Sequence, residues 1–216
     1  HFITEPRPKF PFICLTVSGG HTQLVLVKDH LTMEVIGETQ DDAVGEAFDK
    51  TAKLLGLPYP GGPLLDRHAK EGNPKAFTFP VTRMPGLNYS FSGIKTAVLY
   101  FLRDRLAENP NFIAENLADL CASIQYTLVE MLLIKLKVAM KEYGITEVAI
   151  AGGVSANTGL RTTLSALSLR KGWTLYVPEF EYCTDNAAMI AMAAHFKYLR
   201  GDFVGYDIAP LAKMKF

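Results

Sequence analysis

A switch in hydrophobic periodicity at Asp42 constrains this fold more than any other feature of the chain. Before it, Phe12–Val17 is a β-rich apolar run, and Thr22–Lys28 and Leu31–Gly37 alternate with period two around Asp29-His30. Strand side chains point alternately to opposite faces, so these runs predict one strand followed by a hairpin. Beyond Asp42, residues Ala43, Ala47, Phe48, Thr51, Ala52, Leu54 and Leu55 recur at helical spacing. Thr39 and Asp42 have the spacing of a capping box, Glu46–Lys50 and Asp49–Lys53 are i,i+4 pairs, and Gly56 ends the helix.

The rest of the chain extends the pattern. Tyr59-Pro60-Gly61-Gly62-Pro63 turns into a short helix through Lys70, and residues 72–92 are irregular. Helical patterns return over 93–107, 112–143 and 156–171. Strands Glu147–Ala151 and Thr174–Pro178 flank the last of these as a β-α-β unit, and a final helix is predicted over Thr184–Leu199. The predicted class is α/β, with helices inserted after the third strand at about 42–144. Residues 1–10, with two prolines, read as a tether to a lobe spanning 11–216.

Charge narrows the function classes. Lys+Arg and Asp+Glu are 22 each, so there is no polybasic tail or half to grip nucleic acid or membrane, though a local groove stays open. Cys14, Cys121 and Cys183 are odd in number and widely spaced, which excludes a disulfide framework or C-x-x-C zinc site and fits a reducing cytoplasm. The most apolar stretch, Val129–Met140, is broken by Glu130, Lys135 and Lys137, which predicts no bilayer span. The chain opens on His rather than Met, as expected for a piece of a longer or processed chain.

Three Gly-Gly turns stand at predicted strand ends or helix starts: Ser18-Gly19-Gly20, Pro60-Gly61-Gly62-Pro63 and Gly152-Gly153-Val154-Ser155-Ala156-Asn157. Glycine lets backbone approach a ligand and aim N–H groups at phosphate, and the helix start after Asn157 adds partial positive charge. A single such turn is ordinarily just a turn. None is a P-loop or G-x-G-x-x-G. Plain roles also exist for the polar residues. Asp49 can pair with Lys53, Asn157 can cap its helix, and Asp185 can sit in the first turn of the last helix. His21 is read as an ordinary loop histidine and Lys95 as a solvated helix lysine.

In unbroken order, V-S-G-G-H-T, G-E-A-F-D-K-T-A-K-L-L-G-L-x-Y-P-G-G-P, S-F-S-G-I-K-T, A-G-G-V-S-A-N and C-T-D-N-A-A-M-I-A resemble the tRNA N6-adenosine threonylcarbamoyltransferase family, once called O-sialoglycoprotein endopeptidases. The resemblance runs from about Phe10 to about Lys197. It implies an actin-like, sugar-kinase-like (RNase H-like) two-lobed fold, of which this chain is the second lobe with its helical insertion. It also implies transfer of threonylcarbamoyl from threonylcarbamoyl-AMP to the adenosine 3′ to the anticodon, in tRNAs reading A-starting codons. By motif, Thr16, Val17, Ser18, Gly19, Gly20, Asp49, Gly62 and Asn157 would contact the donor, and Asp185 would bind one divalent metal, iron(II) or else zinc. Thr16 stands where a common family version has Leu.

Implied partners are tRNA, a paralogous dimer partner and, in bacteria, a small ATPase, with no membrane. The family's other metal ligands are an H-x-x-x-H just upstream of the V-S-G-G strand. No histidine pair here has that spacing, so the chain itself is expected to hold no metal and to be inactive alone. A nucleotide-binding scaffold of the same fold is the alternative. The older metalloprotease reading fails for want of H-E-x-x-H.

Overall fold

The opening runs form the antiparallel meander that their alternation predicts. In a computed structural model that describes residues 1–209, β1 (Phe12–Val17) pairs with β2 (Thr22–Asp29), and β2 with β3 (Thr32–Glu38). Residues 210–216 of the expected lobe lie outside the described residues. On its other edge β1 pairs parallel with β4 (Glu147–Ala151), which pairs parallel with β5 (Thr174–Tyr176), giving the order β3-β2-β1-β4-β5. Thr16 stands opposite Ala151, so β1 and β4 release their chains side by side. In such sheets the crevice beyond the carboxyl ends of parallel strands is the usual ligand position.

Four helices lie between β3 and β4: α1 (Val44–Leu54), α2 (Gly61–Ala69), α3 (Ser92–Glu108) and α4 (Phe112–Tyr143). A 3-10 turn (Gly153–Ala156) and α5 (Thr158–Lys171) link β4 to β5. A second 3-10 turn (Phe180–Tyr182) leads to α6 (Ala187–Arg200). Period-two burial puts Ile13, Leu15, Val17 and Leu24 on one sheet face, packed with Leu128, Leu132 and Leu136 of α4. Each fully buried leucine contributes roughly 1.5–3 kcal/mol. By length and hydropathy α4 could cross a membrane, but 67% of its most apolar window is buried, and it serves as the core helix of the sheet.

The opposite face carries Phe12, Cys14, Val25 and Val27. Residues 1–10 form neither helix nor strand, yet they are not a loose tether: Phe2 stacks on Phe10 at 5.5 Å, and the His1 ring bonds the Ile150 carbonyl at 2.8 Å. Burial pushes the Cys14 thiol up to about 11 and the Cys121 thiol to about 12, so neither supplies a thiolate near neutral pH.

Three local expectations change. Thr39 does not form a capping box; α1 begins at Val44, whose amide donates to Thr22 Oγ1 of the neighbouring strand at 2.8 Å. Asp49 does not pair with Lys53 among the described residues, whereas Lys50 meets both Asp42 (2.6 Å) and Glu46 (2.9 Å). The last helix starts after Thr184, because Asn186 caps it by accepting the Met189 amide, leaving Asp185 ahead of the first turn. None of the residues of α6 is buried. It touches the body through Phe196, stacked on His30 at 3.7 Å.

Candidate functional site

At the carboxyl end of β1 the chain turns on Ser18. Its hydroxyl accepts the Gly20 and His21 amides at 3.2 and 2.9 Å, and its carbonyl accepts the Gly45 amide at 3.1 Å. A Cβ on Gly45 would lie 2.6 Å from that carbonyl, so only glycine lets α1 come this close. At the end of β4, Gly152 takes φ 90 and approaches Val17, whose carbonyl would sit 2.4 Å from a Cβ there. Two strand ends and the start of α1 thus converge with little but backbone between them.

Carboxylates from preceding helices then fix the helices around this point. Asp49 of α1 accepts the Gly61 and Gly62 amides through Oδ1, both at 2.9 Å, and so caps α2. Asp66 of α2 accepts the Thr158 amide at 3.1 Å and the Thr158 hydroxyl at 2.8 Å, capping α5. Asn157 accepts the Leu160 amide at 2.8 Å and donates to Gln125 Oε1 of α4 at 2.8 Å. Negative groups at helix N-termini are stabilising. The same bonds correct one expectation. The first amides of α5 are already taken by Asn157 and Asp66, so that helix start offers no open anion site.

These elements enclose a cavity of about 480 Å³. Of the nine expected site residues, Gly19, Asp49, Gly62 and Asn157 line it. Thr16, Val17, Ser18, Gly20 and Asp185 do not. Val17 is fully buried in the core, the Ser18 hydroxyl is turned into its own loop, and Gly20 is exposed beyond the wall. Asp185 follows the lining residue Thr184, exposed and without a hydrogen bond or ion pair among the described residues.

Pro60, Pro63, Gly153, Val154 and Ala156, from the Gly-Gly turns already marked in the sequence, also line it, and Gly45, Phe48, Tyr59, Asp66 and Thr184, which complete the lining, were missed. Asp66 had a usable signal, since it lies four residues after Gly62 and so shares its helix face. Among the described residues no lysine or arginine lines the cavity, whose charges are Asp49 and Asp66. Another hollow of about 500 Å³, between residues 1–6 and α5, contains none of the expected residues.

A divalent metal does not fit the described residues alone. They contain no group of three His, Cys, Asp or Glu able to hold one, and Cys183 is turned inward, 2% exposed, with its sulfur bonded to Arg161 and the Glu179 carbonyl. Three ligands are the usual minimum for such sites. Asp185 is one.

Sheet order, helix placement and the crevice define a lobe of the actin-like ATPase and sugar-kinase class. Full-length HypF, solved in a phosphate- and nucleotide-bound form, has this fold. Its TM-score is 0.68 at 13% identity, over 90% of this chain and 41% of that one. The chain belongs to the tRNA N6-adenosine threonylcarbamoyltransferase family, whose sequence profile matches residues 1–192. Relatives of that name include those of Cytophaga hutchinsonii (61% identical over 100% of this chain and 63% of the relative) and Christiangramia forsetii (58%, over 100% and 64%). That of Porphyromonas gingivalis is 53% identical over 99% and 64%. The chain thus spans under two thirds of the length of these relatives.

Proposed function

We propose that this chain is the adenylate-holding lobe of a longer enzyme, present in the cytoplasm, that transfers threonylcarbamoyl from threonylcarbamoyl-AMP to tRNA. The acceptor is N6 of the adenosine 3′ to the anticodon in tRNAs reading A-starting codons. The amine nitrogen forms a bond to the carbamoyl carbon, the bond from that carbon to the phosphate oxygen breaks, and AMP leaves with the electron pair. A proton leaves the amine. Holding donor and acceptor in line is the principal demand of such a step.

The observation that carries this reading is the cavity where the β1 turn, α1, α2 and the β4 turn meet. Asp49 keeps Oδ2 free of intrachain bonds among the described residues, able to accept from a ribose hydroxyl. The Gly19 amide has no partner among the described residues and is suited to a phosphate oxygen. With two carboxylates and no cation in the lining, the phosphate belongs toward Gly19 and Thr184, away from Asp49 and Asp66. Asp185, beside Thr184, would supply one ligand to a divalent metal, iron(II) or zinc, whose other ligands would be histidines outside this chain. tRNA, a paralogous dimer partner and a small ATPase engage the longer protein.

A transfer assay with threonylcarbamoyl-AMP, tRNA and the partner proteins tests this. Residues 1–216 alone should give no product, and a chain extended to the length of the relatives should give it. Product from the short chain, or none from the extended one, overturns the proposal.

A further inference from the structure

Arg161, on α5, is a cation without an acidic partner among the described residues. Its Nε donates to the Ser155 carbonyl at 2.6 Å, and one Nη donates to the Pro178 carbonyl at 2.8 Å and the Cys183 sulfur at 3.3 Å. The guanidinium carbon lies 4.0 Å from the centroid of the Phe180 ring. These acceptors belong to three separate segments: the Gly153–Ala156 turn, the exit from β5, and the stretch leading into Thr184. Two of them adjoin the cavity lining, Ser155 between Val154 and Ala156 and Cys183 beside Thr184.

Little else holds the segment that carries Thr184. Between Val177 and Arg200 the one buried residue is Cys183. Neither the Phe180–Tyr182 turn nor α6 buries a side chain. A planar fork with donors in fixed directions can bridge three acceptors and stack on an aromatic ring at once. An ammonium on a flexible stem cannot.

We propose that Arg161 is a positioning residue of the adenylate site: it sets the separation between the Gly153 turn and Thr184 and thereby the shape of the cavity between them. The inference rests on the adenylate reading of that cavity. It further implies that Asp185, two residues beyond Cys183, is placed by the same anchor.

Arg161→Met and Arg161→Lys in the 216-residue chain test it, with Arg170→Met, an exposed arginine of the same helix, as control. Two quantities are read on folded protein: the rate at which a maleimide labels Cys183, followed by peptide mass, and the affinity for AMP. Both Arg161 variants should label Cys183 at least about tenfold faster and bind AMP about tenfold or more weakly, as expected for loss of hydrogen bonds from a charged donor. Arg170→Met should change neither. Should Arg161→Met fail to fold, Arg161→Lys carries the comparison. Cys183 labelling at the parent rate in a folded Arg161 variant overturns the positioning role. So does faster labelling with AMP affinity unchanged. Absence of AMP binding by the unaltered chain refutes the adenylate reading instead, and the labelling rate still decides whether Arg161 holds the segment.

Discussion

Replacing Asp66 by alanine should destabilise the chain more than any exposed acidic residue can, because one carboxylate joins two helices. It takes the Thr158 amide and hydroxyl at 3.1 and 2.8 Å, at the first residue of α5. A hydrogen bond to a charged group contributes roughly 1.5–3 kcal/mol. Asp66 is only half-buried, so solvent screening favours the lower part of that range, about 1.5–2 kcal/mol. At about 2–4 °C per kcal/mol for a chain of this size, the melting point should fall by about 3–8 °C. Asp66→Asn keeps a neutral acceptor and should lose about half as much. Urea unfolding followed by circular dichroism gives the free energies. A double-mutant cycle with Thr158→Ala should show coupling of about 1 kcal/mol, since the two side chains share a bond. If Asp66→Ala stays within about 0.5 kcal/mol of the parent, the clamp between α2 and α5 contributes nothing and the reasoning is wrong.

Gly62→Ala meets only ordinary contacts, 3.6 Å to Phe48 and 3.7 Å to Asp49, so stability should hold while the added methyl takes up space in the cavity lining beside Asp49 and weakens AMP binding in a titration. Asp49→Asn should weaken AMP binding while lowering stability by only about 0.5 kcal/mol, because the amide oxygen still accepts the α2 amides as a neutral cap; Lys53→Gln should do neither. Burial pushes the Asp41 pKa up, but bonds from the Ser90 and Ser92 hydroxyls and the Phe91 and Ser92 amides outweigh this and hold it below 3.8. A depressed carboxylate stabilises above its unfolded value and loses that contribution as pH falls through the folded one. Unfolding between pH 5 and pH 2 should therefore show a shallower acid loss in Asp41→Asn than in the parent. Equal slopes would remove Asp41 from the account. Elemental analysis should find no stoichiometric iron or zinc on the 216-residue chain, and binding that requires Asp185 once the upstream histidines are present.

Much of the fold was legible because burial is periodic. The alternating runs became β1–β3, and the Ala47–Phe48–Ala52 stripe became the buried face of α1. What stayed hidden was tertiary hydrogen bonding. Thr22 capping α1, Asp49 capping α2 and Asp66 capping α5 join residues 22, 12 and 92 positions apart, and no local pattern encodes such pairs. For that reason the i,i+4 reading of Asp49 failed, and the start of α5 looked open when Asp66 already filled it. Gly19, Gly62 and Asn157 came together because each lies at a strand end or helix start, and Asp49, midway along α1, joins them by capping α2. Tyr59 and Gly45 sat unremarked inside the same motifs.

The central claim is that the crevice between the β1 turn and the β4 turn holds an adenylate. Amide chemical-shift mapping of the isotopically labelled chain during titration with AMP tests it most directly. The account predicts one saturable site, with the largest shifts at Gly19, Gly62 and Gly153, and loss of those shifts in Gly62→Ala. Shifts clustered instead around Ser168, Trp173 and residues 3–5, in the hollow on the far side of α5, would contradict it.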